Sequence, residues 1–229
     1  MEYEPFKSRA DAVRARIAQA CTRCGRDPSG VELLAVTKTH SAEAVEFAAR
    51  YGLRAVGENR VQEAVDKRAQ TRAPIAWELI GHLQSNKARV AAQTFDRIQS
   101  VDSAKLLELL DRAAGEAGRK LPILLQVNAG MDPAKSGVEP EGAEALLAAA
   151  LTRAHLRVEG LMTVAPLSPD PGVARRTFAN LRAIRERLSA STGATLRELS
   201  MGMSADMEEA IAEGSTLVRV GSALFGARQ

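Results

Sequence analysis

Lys38 closes the run Glu-Leu-Leu-Ala-Val-Thr-Lys, a long cationic side chain at the end of a mostly apolar segment. A lysine in a partly desolvated site gives up its proton more readily and can attack a carbonyl to form a Schiff base. The plainer reading of the same position is a strand-terminal lysine turned to solvent. Two later stretches carry the groups that a phosphate needs. Residues 200–204 read Ser-Met-Gly-Met-Ser, and Gly221-Ser222 precede another short helical stretch. Both offer small residues, backbone N–H groups and a hydroxyl beside a helix N-terminus, where an anion is stabilised. Each is also compatible with ordinary capping by serine and a turn at glycine. Arg219, two residues before Gly221, lies inside an apolar run. A guanidinium turned inward there requires an anion or an acceptor, which favours a ligand contact.

These groups need a frame that brings them together. Short runs rich in Val, Ile and Leu alternate with longer stretches of helical periodicity, the pattern of βα units and a parallel sheet. Eight such runs are found, at 31–37, 54–57, 76–80, 97–101, 121–127, 157–161, 196–199 and 217–220. Ser41, Ser103 and Ser204 read as N-caps, with Gly118 and Gly214 behind the helices at 104–117 and 205–213. Eight units in 229 residues, with no G-x-G-x-x-G after the first run, point to a closed barrel. The fold class expected is α/β, a single TIM-like (β/α)8 barrel spanning 1–229, preceded by an extra helix near 5–24. In such a barrel, ligands sit at the C-terminal ends of the strands and phosphate near the last two loops. Lys38, residues 200–204 and Gly221-Ser222 fall at those places. The three prolines within 165–172 read as a rigid loop after the sixth strand.

Composition removes several classes of function. The net charge of +3 is small, and basic residues are interspersed with acidic ones along the helical stretches, so no nucleic-acid partner is expected. No run of apolar residues is long enough for a membrane span and no signal-peptide core opens the chain, so a cytoplasmic protein is expected. Cys21 and Cys24 form one C-x-x-C without the second pair of a zinc site, and they read as helix-surface thiols. No metal is expected.

A lysine, a phosphate site and an arginine do not choose between pyridoxal phosphate and a sugar phosphate. The segments "LLAVTKTH", "VGENRVQEA", "WELIGHLQSNK", "QSVDS", "KSGV", "GLMTVAP" and "LSMGMSADMEEAIAEGSTLVRVGSALFGAR" make that choice. In order and spacing, over about 33–228, they resemble the pyridoxal phosphate homeostasis protein family, whose fold resembles the N-terminal domain of alanine racemase. The resemblance implies that pyridoxal 5'-phosphate (PLP) is the cofactor, held as a Schiff base on Lys38. It places Ser200, Met201, Gly202, Ser204, Gly221 and Ser222 around the phosphate, Arg219 near the pyridine nitrogen and Asn59 within reach of the cofactor. It implies a role in vitamin B6 homeostasis, with PLP delivered to apo-enzymes, and no catalytic residues.

An arginine at the ring nitrogen cannot accept a proton from it, which leaves the ring a weak electron sink. Tyr3 and Tyr51, the only tyrosines, fall in no strand-end loop, so a second base for a racemase is not evident. The alternatives are a PLP-dependent racemase or decarboxylase with Lys38 as its base, and an aldolase forming its imine with a phosphosugar. The absence of the racemases' extra domain points to a monomer. One segment departs from the family: Trp77-Glu78-Leu79-Ile80-Gly81 has Glu78 where histidine is usual. Glu78 shares a face with Ile80, opposite Trp77 and Leu79. His82 reads as an exposed loop residue.

Overall fold

The computed structural model describes residues 2–226 of the chain. Helix α1 (Tyr3–Arg23) comes first, and eight strands then alternate with helices. They are β1 (Glu32–Val36), α2 (Ala42–Arg50), β2 (Ala55–Glu58), α3 (Val61–Gln70), β3 (Ala76–Leu79), α4 (Ala88–Thr94), β4 (Arg97–Val101) and α5 (Ala104–Glu116). The second half comprises β5 (Leu121–Gln126), α6 (Ala143–Leu151), β6 (Leu156–Met162), α7 (Pro171–Thr192), β7 (Glu198–Ser200), α8 (Met207–Ala212), β8 (Leu217–Val220) and α9 (Ser222–Phe225). The strands pair in sequence order and close, β8 lying parallel to β1 with Leu34 opposite Arg219. The expected (β/α)8 barrel with an extra N-terminal helix is the observed architecture.

Strand alternation divides the residues between two environments. Leu33, Ala35, Val56, Trp77, Leu79, Ile98, Leu199, Val218 and Val220 belong to the large apolar core shared with the helices. Leu34, Ala55 and Leu217 form a separate small cluster with Ala76 and Ile80, inside the barrel. The same alternation therefore turns Glu78, between Ala76 and Ile80, and Arg219, two beyond Leu217, into the barrel. Both are buried.

Helix α1 buries Phe6, Ala10, Val13, Ile17, Ala20 and Cys21, a stripe at helical spacing. It packs on α8 and α9, the helices beside the last two loops. Arg9 Nε donates to Leu224 O at 2.6 Å, Arg16 reaches Ser204 O and Glu208, and Arg26 donates to Ile211 O and Ser215 O. The extra helix and the segment just behind it thus brace α8, α9 and the loop after β7. Cys21 is fully buried in this contact rather than on the helix surface, because it lies one helical turn beyond Ile17, and burial pushes its thiol pKa up.

Two local expectations change. Ser204 does not cap a helix: α8 begins at Met207 behind Asp206, whose carboxylate accepts from Met203 N at 2.6 Å and folds 203–206 into a turn. That turn releases Ser204 toward the barrel mouth. Strand β7 begins at Glu198 rather than at residue 196. Ser103 does cap α5, its side chain accepting from Leu106 N, whereas Ser41 occupies the N-cap of α2 without a side-chain bond. Among the described residues no helix is long and apolar enough to cross a membrane.

Candidate functional site

A cavity of about 380 Å³ opens at the C-terminal ends of the strands. This lies within the range of about 300–1,000 Å³ usual for small-molecule sites. Lys38, Asn59, Ser204, Arg219, Gly221 and Ser222 line it, with Val36, Ile80 and Val164 as its apolar wall.

Lys38 follows β1 and is set by the backbone around it. Thr37 points outward, its hydroxyl donating to Glu58 Oε1 at 2.7 Å. Lys67, on α3 yet almost fully buried, donates from Nζ to Thr37 O at 2.6 Å, Glu58 Oε1 at 2.7 Å and Glu63 Oε1 at 2.8 Å. Glu63 Oε1 in turn accepts from Thr39 N at 2.5 Å. The peptide groups on both sides of Lys38 are therefore held by one ionic cluster outside the barrel. The cluster also holds an unfavourable backbone: Thr39 has φ +66, a left-handed conformation that costs a β-branched residue about 1–3 kcal/mol. Burial pushes the Glu58 carboxyl pKa up against the pull of Lys67 and Thr37, and its second oxygen is buried without a hydrogen-bond partner. Burial also acts on Glu63, but the bonds from Lys67 and Thr39 outweigh it and lower its pKa.

Arg219 is held differently. One guanidinium arm donates to Ser200 Oγ at 2.6 Å and the other to Thr163 O at 2.7 Å. Both acceptors are neutral. Burial pulls the Arg219 pKa down to about 10, with Asp206 pulling the other way. Ser200 Oγ donates to Gln99 Oε1 at 2.6 Å, and Gln99 Nε2 donates to Glu78 Oε2 at 2.5 Å. Arg97 then grips the Glu78 carboxylate through Nε and a terminal nitrogen, at 3.0 and 2.9 Å. Burial disfavours the Arg97 charge, but Glu78, Glu198 and Glu159 hold its pKa above the usual value. Burial pushes the Glu78 carboxyl up, against Arg97 and Gln99.

The third wall carries hydroxyls. Ser222 Oγ and Ser204 Oγ lie 3.3 Å apart, brought together from the loops after β7 and β8. Gly202 makes the first loop possible: its φ is +94, and a Cβ there would meet Ala210 Cβ at 2.5 Å. Its carbonyl accepts from Arg219 N at 2.9 Å, which ties the two loops together.

Of the residues singled out in the sequence, Lys38, Asn59, Ser204, Arg219, Gly221 and Ser222 line one cavity. Three do not. Ser200 acts through Arg219, and Gly202 shapes the loop behind the wall. Met201 is buried in the outer core with its N–H donating to Leu217 O at 3.1 Å, so that amide is committed to the sheet. Its neighbours' alternation required this. His82 is exposed beside Asp102 and does not line the cavity. His40 does line it, its ring 5.0 Å from that of Phe225, and sequence reading passed over it. Tyr51 donates to Asp11 at 2.6 Å, on the α1 side, and Tyr3 packs against Phe47.

A parallel barrel with a rim lysine, an inward arginine and paired hydroxyls at the last two loops defines a class of lysine-bearing barrels with a polar mouth. The sequence model of the alanine racemase N-terminal domain matches residues 9–229. The chain is 43% identical to the pyridoxal phosphate homeostasis protein of Pseudomonas aeruginosa over 94% of this chain and 93% of that one. The Escherichia coli K12 protein of the same name is 39% identical over 94% of each chain. This chain belongs to the pyridoxal phosphate homeostasis protein family. Among solved structures, PipY of Synechococcus elongatus with PLP bound superposes with a TM-score of 0.86 at 40% identity, covering 96% of this chain and all of that one. Alanine racemase from Clostridium difficile shares the fold, with a TM-score of 0.75 at 14% identity over 87% of this chain and 53% of that one.

Proposed function

We propose that this protein holds PLP reversibly in the barrel-mouth cavity, with Lys38 joined to it as a Schiff base, and delivers it to apo-enzymes in the cytoplasm without turning over a substrate. The observation that carries the reading is the convergence of Lys38, Arg219 and the Ser204–Ser222 hydroxyl pair on one cavity. The residues present fit the group. A buried guanidinium whose hydrogen-bond partners among the described residues are neutral suits an acceptor on the ligand, and two hydroxyls beside Gly221 suit a phosphate. The names of the relatives and the PLP-bound neighbour support the same ligand.

When bound, PLP supplies an electron-withdrawing ring and a carbonyl carbon open to amines. Lys38 supplies the amine, positioned through Thr37 and Thr39. Arg219 would donate toward the ring nitrogen and could not take up its proton, which would disfavour carbanion chemistry. Ser204 and Ser222 would hold the phosphate, and the apolar wall of Val36, Ile80 and Val164 would exclude water from one side.

His40 in the cavity wall favours a second reading, a racemase-type enzyme with Lys38 and His40 as its two bases. One experiment separates them: the loaded protein is incubated with amino acids in tritiated water, and separately with an apo-enzyme whose activity reports transferred PLP. Reactivation of the apo-enzyme without tritium at the α-carbon is the expected result. Tritium incorporation at turnover rates, lost in His40→Ala, would overturn carriage in favour of catalysis.

A further inference from the structure

The polar line through the barrel has a fixed direction. Both oxygens of Glu78 face donors, Oε1 toward Arg97 and Oε2 toward Arg97 and Gln99, so the carboxylate acts only as an acceptor. Gln99 must therefore present its NH2 to Glu78 and its carbonyl to Ser200. The single proton of Ser200 goes to that carbonyl, which leaves Oγ lone pairs for Arg219. Each group has one orientation because Glu78 stands at the head of the line. Every member from Glu78 to Arg219 is buried, so water does not reset the order.

We propose that Glu78 is a positioning residue for Arg219, acting through Gln99 and Ser200 to hold the guanidinium aimed at the ring nitrogen of PLP. This deepens the reading above and rests on its assignment of Arg219 to the ring. Without the acceptor at 78, the Gln99 amide is free to turn over and offer its NH2 to Ser200. Ser200 Oγ then accepts from both sides, and its own proton loses the Gln99 carbonyl that fixed its direction. Arg219 shares its acceptor with a second donor, and the fixed geometry of that 2.6 Å bond, with the aim it gives, is lost.

The test compares binding of PLP with binding of 1-deaza-PLP, in which C–H replaces the ring nitrogen, to the full-length protein. The ratio of the two affinities isolates the bond to that nitrogen. A general loosening of the barrel weakens both ligands and leaves the ratio unmoved. Wild type is expected to favour PLP by about tenfold or more, the worth of a hydrogen bond from a charged donor. Arg219→Gln is expected to bring the ratio close to one. The Glu78→Leu/Arg97→Leu double variant removes both members of the buried pair together, and Gln99→Leu breaks the line while leaving the Glu78–Arg97 ion pair in place; both are expected to lose most of the preference. If Arg219→Gln removes the preference while the double variant and Gln99→Leu keep the wild-type ratio, the role of Glu78 is refuted and the site assignment stands. If Arg219→Gln itself keeps the ratio, the assignment of Arg219 to the ring fails and takes this proposal with it.

Discussion

The two cations of the cavity, Lys38 and Arg219, are positioned by opposite means. The neighbours of Lys38 are clamped from outside the barrel by charged groups, which bond to Thr37 and to Thr39 N on either side of it. Arg219 is gripped at the guanidinium, from inside the barrel, by neutral acceptors. The difference follows from the tasks proposed for them. A lysine that makes and breaks a covalent bond needs a backbone fixed on both sides of it. An arginine that reads one ring atom needs a fixed head and a charge not neutralised by a carboxylate. Ion pairs next to the backbone suit the first purpose, and a directed line that meets the guanidinium through neutral groups suits the second.

Removing the clamp's cation should do the most damage. Lys67→Met leaves Glu58 buried without its counter-ion and is expected to cost about 3–5 kcal/mol of stability in denaturant unfolding. Arg219→Gln should behave in the opposite way. It removes a buried cation whose hydrogen-bond acceptors among the described residues are neutral, so the ligand-free protein should unfold no earlier than wild type, while PLP binds about 1.5–3 kcal/mol more weakly. A large loss of ligand-free stability in Arg219→Gln would erase the contrast between the two sides. Next in size is the backbone at Thr39. Glu63→Ala is expected to slow Schiff base formation and cost about 1–3 kcal/mol, and Thr39→Gly in the same chain should recover most of both, because glycine adopts φ +66 freely. Failure of the glycine to rescue would show that Glu63 acts other than through Thr39. Ser222→Ala should be milder, weakening PLP by about 0.5–1.5 kcal/mol and leaving pyridoxal, which lacks the phosphate, unaffected.

The clamp also predicts two pH slopes of opposite sign. Glu58 has a folded pKa above its ordinary value of 4.5, so its contribution is whole below that value and is lost as pH rises through the folded pKa. Glu63 has a folded pKa below 4.5, so its contribution is present above that value and is lost as pH falls through the folded pKa. The stability of wild type relative to Glu58→Gln should therefore fall with rising pH, and that relative to Glu63→Gln should rise. Slopes of the same sign would mean that the two carboxylates do not differ in environment as described.

The barrel was legible in the sequence because each strand is a short Val/Ile/Leu run between helical stretches, and every expected strand is present, with ends shifted by at most two residues. Lys38, Ser204 and Ser222 could be picked out because the C-terminal ends of barrel strands are where ligand groups lie. Position also misled: Met201 sits between two residues tied to the site, but alternation sends it outward. The clamp was not legible. Glu63 and Lys67 have the i, i+4 spacing of a surface pair, and only the packing of α3 on β2 buries Lys67 against Glu58. Glu78 was visible as a departure from the family, but its partners depend on strand register and barrel closure. Arg97 faces it from β4, and the chain onward to β7 and β8 crosses the interior. His40 was missed because nothing in its own segment marks a histidine two residues past a strand-end lysine as part of a wall.

The most direct test of this account is the absorbance spectrum of purified wild type and Lys38→Ala with added PLP, followed by borohydride reduction and peptide mapping. Wild type should show the yellow Schiff base band and carry reduced PLP on the peptide containing Lys38, while Lys38→Ala shows neither. A band of equal strength in Lys38→Ala, or label mapped to another lysine, would contradict the assignment of Lys38 on which the comparison of the two sides is built.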